Sequence, residues 1–406
     1  MSPPKDPSDA WGLDPSVTFL NHGSFGACPT EVLAAQSDLR AQLERNPMDF
    51  LLRAYEPLLD TARDRLAEFV GADPESIAFV SNPTTGVNTL LRSLTLEPGD
   101  EILITDHGYN ACSNAARSVA DATGAVVTVA HLPWPIASSD LVVDSVLEAV
   151  TPRTKLVLLD HVTSPTALVL PVERVARELE SRGIDLLVDG AHAPGMLPLD
   201  LRSLDVPYYV GHCHKWMSAP KGAAFLSVRQ DRRSHIRPLV VSHGANSSRT
   251  DRSLYQLEFD WTGTTDPTAW LSVPAAIDVM DGLIEGGWPA LMASNRAKSL
   301  AARSILCAAL RCEEPAPEEM IGSMASVLLP AEPGSGDVAP LETSPLQDDL
   351  WSEHRIEVPV HSFPKSPQRL IRVSAQLYNH PEQYQRLASA VTDALARESA
   401  RSTNAV

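Results

Sequence analysis

The sequence lacks most of the features that mark nucleic-acid-binding and membrane proteins. Its 33 Lys and Arg residues are outnumbered by 51 Asp and Glu, which gives a formal net charge of −18, and no run is rich in Lys or Arg. We therefore expect no nucleic acid and no anionic membrane surface among its partners. No stretch approaches the roughly 18 uninterrupted apolar residues of a membrane span, so we expect none.

Cysteine is also scarce, and common catalytic motifs are missing. The five cysteines are scattered and form no C-x-x-C pair, and the residues before Trp11 lack the apolar core of a signal peptide. Both observations favour a cytoplasmic protein with reduced thiols. There is no G-x-G-x-x-G, P-loop, H-E-x-x-H or G-x-S-x-G motif. His212, Cys213 and His214 are too close together for a tetrahedral zinc site, so we predict no metal.

Most of the chain alternates short apolar runs with amphipathic segments. This alternation predicts an α/β fold, a mostly parallel sheet flanked by helices. After about residue 283 the pattern favours a smaller α+β domain with a strand at 369–373. We predict an N-terminal arm (1–29), a large domain (30–284) and a small C-terminal domain (285–406) that packs with the arm. The predicted strands of the large domain are 77–80, 102–104, 126–129, 155–159, 184–188, 208–210 and 223–228.

Two residues at predicted strand ends point to a cofactor. Asp189 ends the apolar run 184–188, and Lys215 follows the short run 207–210. Ligands of parallel sheets bind at the carboxyl ends of strands. A lysine that forms a Schiff base and a carboxylate that pairs with a protonated pyridine nitrogen are what pyridoxal 5′-phosphate (PLP) requires. Taken singly, Lys215 could be a surface lysine and Asp189 a turn or helix-capping residue.

Two segments are candidates for binding the phosphate of such a cofactor. Thr84, Thr85 and Gly86 open a predicted helix directly after the strand 77–80, and helix N-termini bind anions. A second candidate contains Gly263 and Thr264. The plain alternative for the first segment is a helix-capping motif.

Three further side chains fit a ring and an amino-acid substrate. His192 lies three residues after Asp189, where it can reach the phenolic oxygen of the cofactor. Tyr109 follows the strand 102–104 and can stack on a flat ring, although ordinary packing explains it equally well. Arg372, at the end of a strand, can clamp a carboxylate bidentately, with a surface salt bridge as the alternative.

In this order, the motifs resemble those of the class V aminotransferase family of PLP enzymes, fold type I, and within it the isopenicillin N epimerase-like proteins. The resemblance spans about residues 19–380. It rests on F-L-N-H-G-S-F-G (19–26), N-P-M-D-F-L-L-R (46–53), D-H-V-T-S-P-T (160–166), V-D-G-A-H-A-P-G (188–195), H-K-W (214–216), A-P-K-G (219–222) and S-E-H-R-I-E-V-P-V (352–360).

The resemblance implies a role for each candidate. Lys215 matches the Schiff-base lysine, Asp189 the pyridine partner, His192 the neighbour of the phenolic oxygen, and Tyr109, rather than His107, the stacking residue. Arg372 matches the arginine that binds the substrate α-carboxylate. The remaining matches are Thr84, Thr85 and His214 at the phosphate, Ser164 near the ring, Gly263 and Thr264 reaching the phosphate from the partner of an obligate homodimer, and Asn21, His22, Ser24 and Phe25 on the substrate side.

Two departures qualify what the family implies. His212 and Cys213 stand where many relatives have Ser and Gly, so we predict that His212 replaces the phosphate-binding serine. No cysteine follows Cys312, which argues against a persulfide-forming cysteine desulfurase. The expected function is a PLP-dependent reaction at Cα of an amino acid, namely epimerisation. A C–S lyase and an aminotransferase, which would use the same residues, are the alternatives.

Overall fold

The structure, a computed structural model, describes residues 6–332 and 342–403. Its strands are β1 (Thr18–Phe19), β2 (Ile77–Val80), β3 (Glu101–Thr105), β4 (Val126–Ala130), β5 (Thr154–Asp160), β6 (Asp185–Gly190), β7 (Tyr208–His212), β8 (Ala224–Val228), β9 (Met324–Leu329), β10 (Ile356–Glu357), β11 (Val360–Ser362) and β12 (Arg369–Ser374). The α-helices are α1 (His22–Phe25), α2 (Thr30–Arg45), α3 (Pro47–Asp49), α4 (Tyr55–Val70), α5 (Pro83–Ser93), α6 (Asn110–Thr123), α7 (Asp140–Ala149), α8 (Val172–Glu180), α9 (Leu201–Leu204), α10 (Leu254–Phe259), α11 (Thr268–Leu271), α12 (Val273–Asp281), α13 (Gly287–Leu310), α14 (Pro345–His354) and α15 (Pro381–Thr403).

A seven-stranded sheet forms the centre of the molecule. Its strand order is β2-β8-β7-β6-β5-β3-β4, and β8 runs antiparallel to both of its neighbours while the other adjacent pairs are parallel. The apolar side chains of the inner strands are buried on both faces, as expected where helices cover a parallel sheet. The predicted α/β fold with a mostly parallel sheet is therefore confirmed.

The parallel register brings particular residues to one edge of this sheet. Asp160 of β5 lies opposite Asp189 of β6, and Asp189 lies opposite Val210 of β7. The loop that carries Lys215 leaves the same end of β7. The polar residues that end these strands are therefore neighbours in space, although they lie far apart in sequence.

The C-terminal part has its own antiparallel sheet of order β11-β12-β9, against which α13 packs; α15 packs in turn on α13. The predicted small α+β unit is thus present, and the predicted boundary at 284/285 lies between α12 and α13. The N-terminal arm joins this unit, since β1 pairs with β10 and Ser374 N donates to Leu20 O over 2.9 Å. None of the described helices is both long and apolar enough to cross a membrane.

Candidate active site

A cavity of about 480 Å³ opens at the carboxyl edge of the large sheet. It lies where β5, β6 and β7 end, the position at which α/β sheets bind ligands. Most of the predicted site residues line it. Its wall consists of Ser24, Phe25, Asn82, Pro83, Thr84, Thr85, Tyr109, Asp160, Ser164, Asp189, Ala191, His192, His212, His214 and Lys215.

Lys215 lies in a tight loop between β7 and β8. The loop is closed by hydrogen bonds from Ala219 N to Cys213 O and from Ser218 N to Lys215 O. Burial, and then the positive charge of Arg372, lower the pKa of Lys215 to about 7. Its Nζ lies 3.2 Å from His192 Nε2. A large share of the amine is therefore neutral, and nucleophilic, near neutral pH.

Asp189 is a buried carboxylate without an ion-pair partner among the described residues. Oδ1 accepts the backbone N–H of Ala191 over 3.0 Å, and Oδ2 accepts the thiol of Cys112 over 3.1 Å. Burial raises the pKa of Asp189, while the Cys112 and Ala191 hydrogen bonds and the charge of Lys215 act to lower it. A carboxylate held in this way is suited to a cationic group of a ligand.

Arg372 lies on β12, directly behind the cavity wall, and is 1% exposed. Its guanidinium donates to Ser164 O (2.6 Å), Ser164 Oγ (3.2 Å), Ser24 Oγ (3.0 Å) and Asn21 Oδ1 (3.3 Å). All of these acceptors are uncharged, and Nε has no partner. Burial lowers the pKa of Arg372 to about 10. These hydrogen bonds fix the orientation of the guanidinium, and none of these acceptors neutralises its positive charge. A carboxylate-binding site requires both.

The N-terminal arm residues within 21–25 make two kinds of contact. Ser24 and Phe25 line the cavity, and Asn21 reaches Arg372. His22, which the resemblance assigned to the substrate side, does not line the cavity: Nε2 donates to Lys215 O (3.0 Å) and Nδ1 accepts the Tyr378 hydroxyl (2.8 Å). It therefore ties the backbone of the lysine to the C-terminal unit.

At the other end of the cavity α5 begins. Asn82 caps the helix by accepting Thr85 N over 2.8 Å, so the helix start with Thr84 and Thr85 faces the cavity. Gly86 is not in the wall. A Cβ there would lie 2.8 Å from Val210 Cγ1, so the glycine allows α5 to pack against β7.

Two histidines line the same cavity as this helix start. The rings of His212 and His214 are 3.9 Å apart. Burial lowers the pKa of both, that of His214 to about 4, and the Nδ1 atom of each is buried without a partner. Such orphaned polar atoms are expected where a polar ligand group binds.

The structure separates Tyr109 from His107. Tyr109, at the N-cap of α6, lines the cavity. His107 is buried elsewhere, with its ring 4.7 Å from that of Phe363 and its Nδ1 2.8 Å from Thr166 Oγ1. Ring stacking is therefore open to Tyr109 and not to His107.

Sequence reasoning missed Asp160 and Cys112. Asp160 lines the cavity beside Asp189, and it ends the apolar run 155–159 just as Asp189 ends 184–188, so the same pattern could have identified it. Gly263 and Thr264 lie away from the cavity of their own chain, in the loop between α10 and α11 near Trp261 and Trp270.

Residues 27–331 match the family model for Aminotransferase class-V. The chain belongs to the class V aminotransferase family. It is 40% identical to the isopenicillin N epimerase of Amycolatopsis lactamdurans over 400 residues, covering 94% of this chain and 96% of the relative. The isopenicillin N epimerase of Streptomyces clavuligerus is 36% identical over 401 residues, with 95% and 96% covered. A probable chloroplastic L-cysteine desulfhydrase of Arabidopsis thaliana is 28% identical over 415 residues, with 96% and 85% covered.

Solved structures share the fold of this chain. A C-DES mutant with glycine covalently linked to its PLP cofactor superposes with a TM-score of 0.78 at 23% identity, covering 96% of this chain and all (100%) of that one. The fold is therefore PLP fold type I, as predicted, and the cofactor is PLP.

The residues of the cavity fit this cofactor. The unpaired carboxylate of Asp189 suits the pyridine nitrogen, and the desolvated amine of Lys215 suits the aldehyde. The α5 N-terminus and the orphaned Nδ1 atoms of His212 and His214 belong to the same cavity and suit the phosphate. His192 lines the same cavity, with Nε2 3.2 Å from Lys215 Nζ.

Proposed function

We propose that this class V enzyme inverts the configuration at Cα of an amino acid, in the manner of an isopenicillin N epimerase. Two relatives with that name match nearly the whole chain at 40% and 36% identity. The observation that carries the proposal is the buried guanidinium of Arg372, which only uncharged groups hold beside a cavity that contains Lys215 and Tyr109. In the proposed reaction Arg372 binds the substrate carboxylate, and Lys215 and Tyr109 carry the protons.

Each residue has a task in this reaction. PLP, when bound, acts as an electron sink that stabilises negative charge at Cα. Arg372 binds the α-carboxylate and so fixes the orientation of the Cα–H bond. Lys215, with its pKa lowered to about 7, removes or returns the Cα proton as general base and acid. Asp189 holds the ring through its pyridine nitrogen.

Inversion needs a second proton carrier on the other face, and we assign this role to Tyr109. Ser24 also has a hydroxyl in the cavity wall, but this hydroxyl is already engaged. It donates to Asn21 Oδ1 over 2.6 Å and accepts from Arg372 over 3.0 Å. Burial, with the negative charge of Asp189 acting in the same direction, raises the pKa of Tyr109. Its hydroxyl therefore keeps its proton at neutral pH and can donate it.

Replacement of Tyr109 by phenylalanine tests this assignment, because the stacking ring stays and only the hydroxyl is lost. In D₂O, wild type should exchange the Cα proton and invert either enantiomer. We expect Tyr109→Phe to invert at least about 10²-fold more slowly. It should still exchange the Cα proton of one enantiomer through Lys215. Chiral chromatography and proton NMR measure the two rates.

Tyr208→Phe is the matched control, because the Tyr208 hydroxyl bonds to Asp185 outside the cavity, and it should invert at a rate near that of wild type. Inversion by Tyr109→Phe at the wild-type rate would remove Tyr109 from the mechanism. Absence of inversion in wild type with all amino acids tried would remove the epimerase proposal itself.

C–S lysis is the second candidate, because the chain also matches L-cysteine desulfhydrases along most of its length. It would use the same lysine and arginine and would need no second acid. Release of pyruvate and sulfide from cysteine in the same assay would support it. Turnover that depends on an added keto acid would instead indicate an aminotransferase.

We also propose that the enzyme is a homodimer in which Gly263 and Thr264 reach the phosphate end of the partner's cavity. Thr264 is exposed and away from its own cavity. Leu239, Val240 and Val241 form an exposed apolar run, 45%, 57% and 72% exposed, of the kind that an interface covers.

Mixed dimers test this arrangement. A carboxylate introduced by Thr264→Glu should repel the phosphate and inactivate the enzyme, as Lys215→Ala should. Mixing the two variants should restore up to half of the wild-type activity per mixed dimer, because one site then has both Lys215 and Thr264. No restoration in dimers that ultracentrifugation shows to be mixed would contradict the proposal.

A further inference from the structure

We propose that Cys112 is a positioning residue that, by its hydrogen bond to Asp189, keeps the charge of the buried Asp160–Asp189 pair on Asp189. The inference concerns how the chain holds PLP, and it does not depend on which reaction follows. Cys112 has no place in the mechanism above. Its thiol nevertheless contacts Asp189, the residue proposed to pair with the pyridine nitrogen.

Asp160 and Asp189 are a close pair of buried carboxyls. They are register partners on adjacent parallel strands, and they are 5% and 3% exposed. Two carboxylates in such a place do not both ionise, because burial and mutual repulsion oppose the second charge. The pair therefore carries one negative charge near neutral pH, and its surroundings decide which residue holds it.

The donors around the pair are unequal. Asp189 accepts a side-chain donor, the Cys112 thiol at 3.1 Å, as well as the Ala191 N–H at 3.0 Å. No side-chain donor among the described residues bonds to the Asp160 carboxyl; against the burial that raises its pKa, the backbone N–H of Tyr109 acts to lower it. Burial and the charge of Asp189 raise the pKa of Asp160 well above its usual range, and in the proposed arrangement Asp160 holds the proton of the pair. The hydrogen bond from the thiol therefore favours ionisation of Asp189 over ionisation of Asp160.

Cys112 is itself built as a fixed donor. It lies in the first turn of α6, 2% exposed, and its thiol reaches across to β6. Burial and the nearby Asp189 raise the pKa of the thiol well above its usual value, so the thiol stays protonated and can donate. If the thiol were absent, the charge would be shared with Asp160, and the pyridine nitrogen would lose part of its partner.

The test measures PLP affinity of the apoenzyme by equilibrium titration, followed by fluorescence. Cys112→Val keeps an apolar side chain but removes the donor, and we expect PLP binding about 10-fold weaker. Cys112→Ser keeps a donor and should stay within about threefold of wild type. Cys307→Val, at a buried cysteine of α13 far from the cavity, is the control and should have no effect.

A double variant separates charge placement from packing. Asp160→Asn removes the competing carboxyl, so in the Cys112→Val background it should restore most of the lost affinity. If Cys112 only fills space, Asp160→Asn will restore nothing, and Cys112→Ser will be as weak as Cys112→Val. Either result overturns the proposal.

A measurement on the wild-type apoenzyme covers the case in which a variant does not fold. The S–H stretch of Cys112 should appear at low frequency in infrared spectra, as for a thiol bonded to a carboxylate. It should shift upward in Asp189→Asn. An S–H band at the frequency of a free thiol in wild type would contradict the hydrogen bond on which the proposal rests.

Discussion

Lys215→Ala is expected to lower kcat by about 10⁴-fold or more, because in the proposed mechanism one side chain both holds the cofactor and moves the Cα proton. The variant should still bind PLP through Asp189 and the phosphate end. It should lack the long-wavelength absorbance band of PLP bound covalently to lysine. Absorbance spectra of the purified protein, read together with turnover, check both statements.

Lys221 provides the matched control. It lies in the same loop region, burial also lowers its pKa, and its Nζ donates to Gly26 O over 2.9 Å instead of facing the cavity. Lys221→Ala should therefore keep the absorbance band and turnover, at some loss of thermal stability. A variant Lys215→Ala that keeps the band would show that the covalent site is elsewhere.

Arg372→Ala should lower kcat/KM for amino-acid substrates by about 10²–10³-fold, with most of the effect in KM. Loss of one partner of a buried, hydrogen-bonded charge pair costs about 2–5 kcal/mol, and each 1.36 kcal/mol is about tenfold in rate or affinity. Arg372→Lys should recover only part of the loss, because an ammonium cannot bind a carboxylate bidentately. Steady-state kinetics with a substrate and with its α-amide distinguish these contributions: the amide should be a poor substrate for wild type but lose little more in the variant.

Arg369 on the same strand is the control for this experiment. It is also buried, but it already pairs with Glu398 at 2.5 Å. Arg369→Ala should lower the melting temperature and leave KM nearly unchanged. If KM rose equally in both variants, the effect would belong to the strand and not to the carboxylate site.

Much of the fold could be predicted because short apolar runs and amphipathic segments alternate clearly along most of the sequence. The predicted strand 77–80 has the observed bounds of β2, and the other strands of the large sheet differ by one or two residues at one or both ends. Family membership, fold type I and PLP, predicted from motifs along the chain, are confirmed. The roles assigned to Lys215, Asp189 and Arg372 stay predictions, although the structure brings these residues to one cavity.

What the sequence could not show depends on contacts between distant segments. His22 lies in a motif that the resemblance assigned to the substrate, yet its ring meets Lys215 O and Tyr378, 193 and 356 residues away. In the sequence Cys112 is one of five scattered cysteines, and only the fold places its thiol beside Asp189. Gly86 of α5 is a packing residue, since a side chain there would meet Val210 of β7. No local pattern encodes these pairs.

The pairing of the two chain ends has a consequence for biosynthesis. Asn21 meets Arg372 across 351 residues of sequence, and β1 pairs with β10 near the other end of the chain. During translation the large sheet can form early, but the substrate side of the cavity must wait until β12 has left the ribosome. The arm meanwhile has no partner strand. Contacts of such long range slow folding, so a nascent chain would be able to form the Lys215 and Asp189 side of the cavity well before Arg372 could join it.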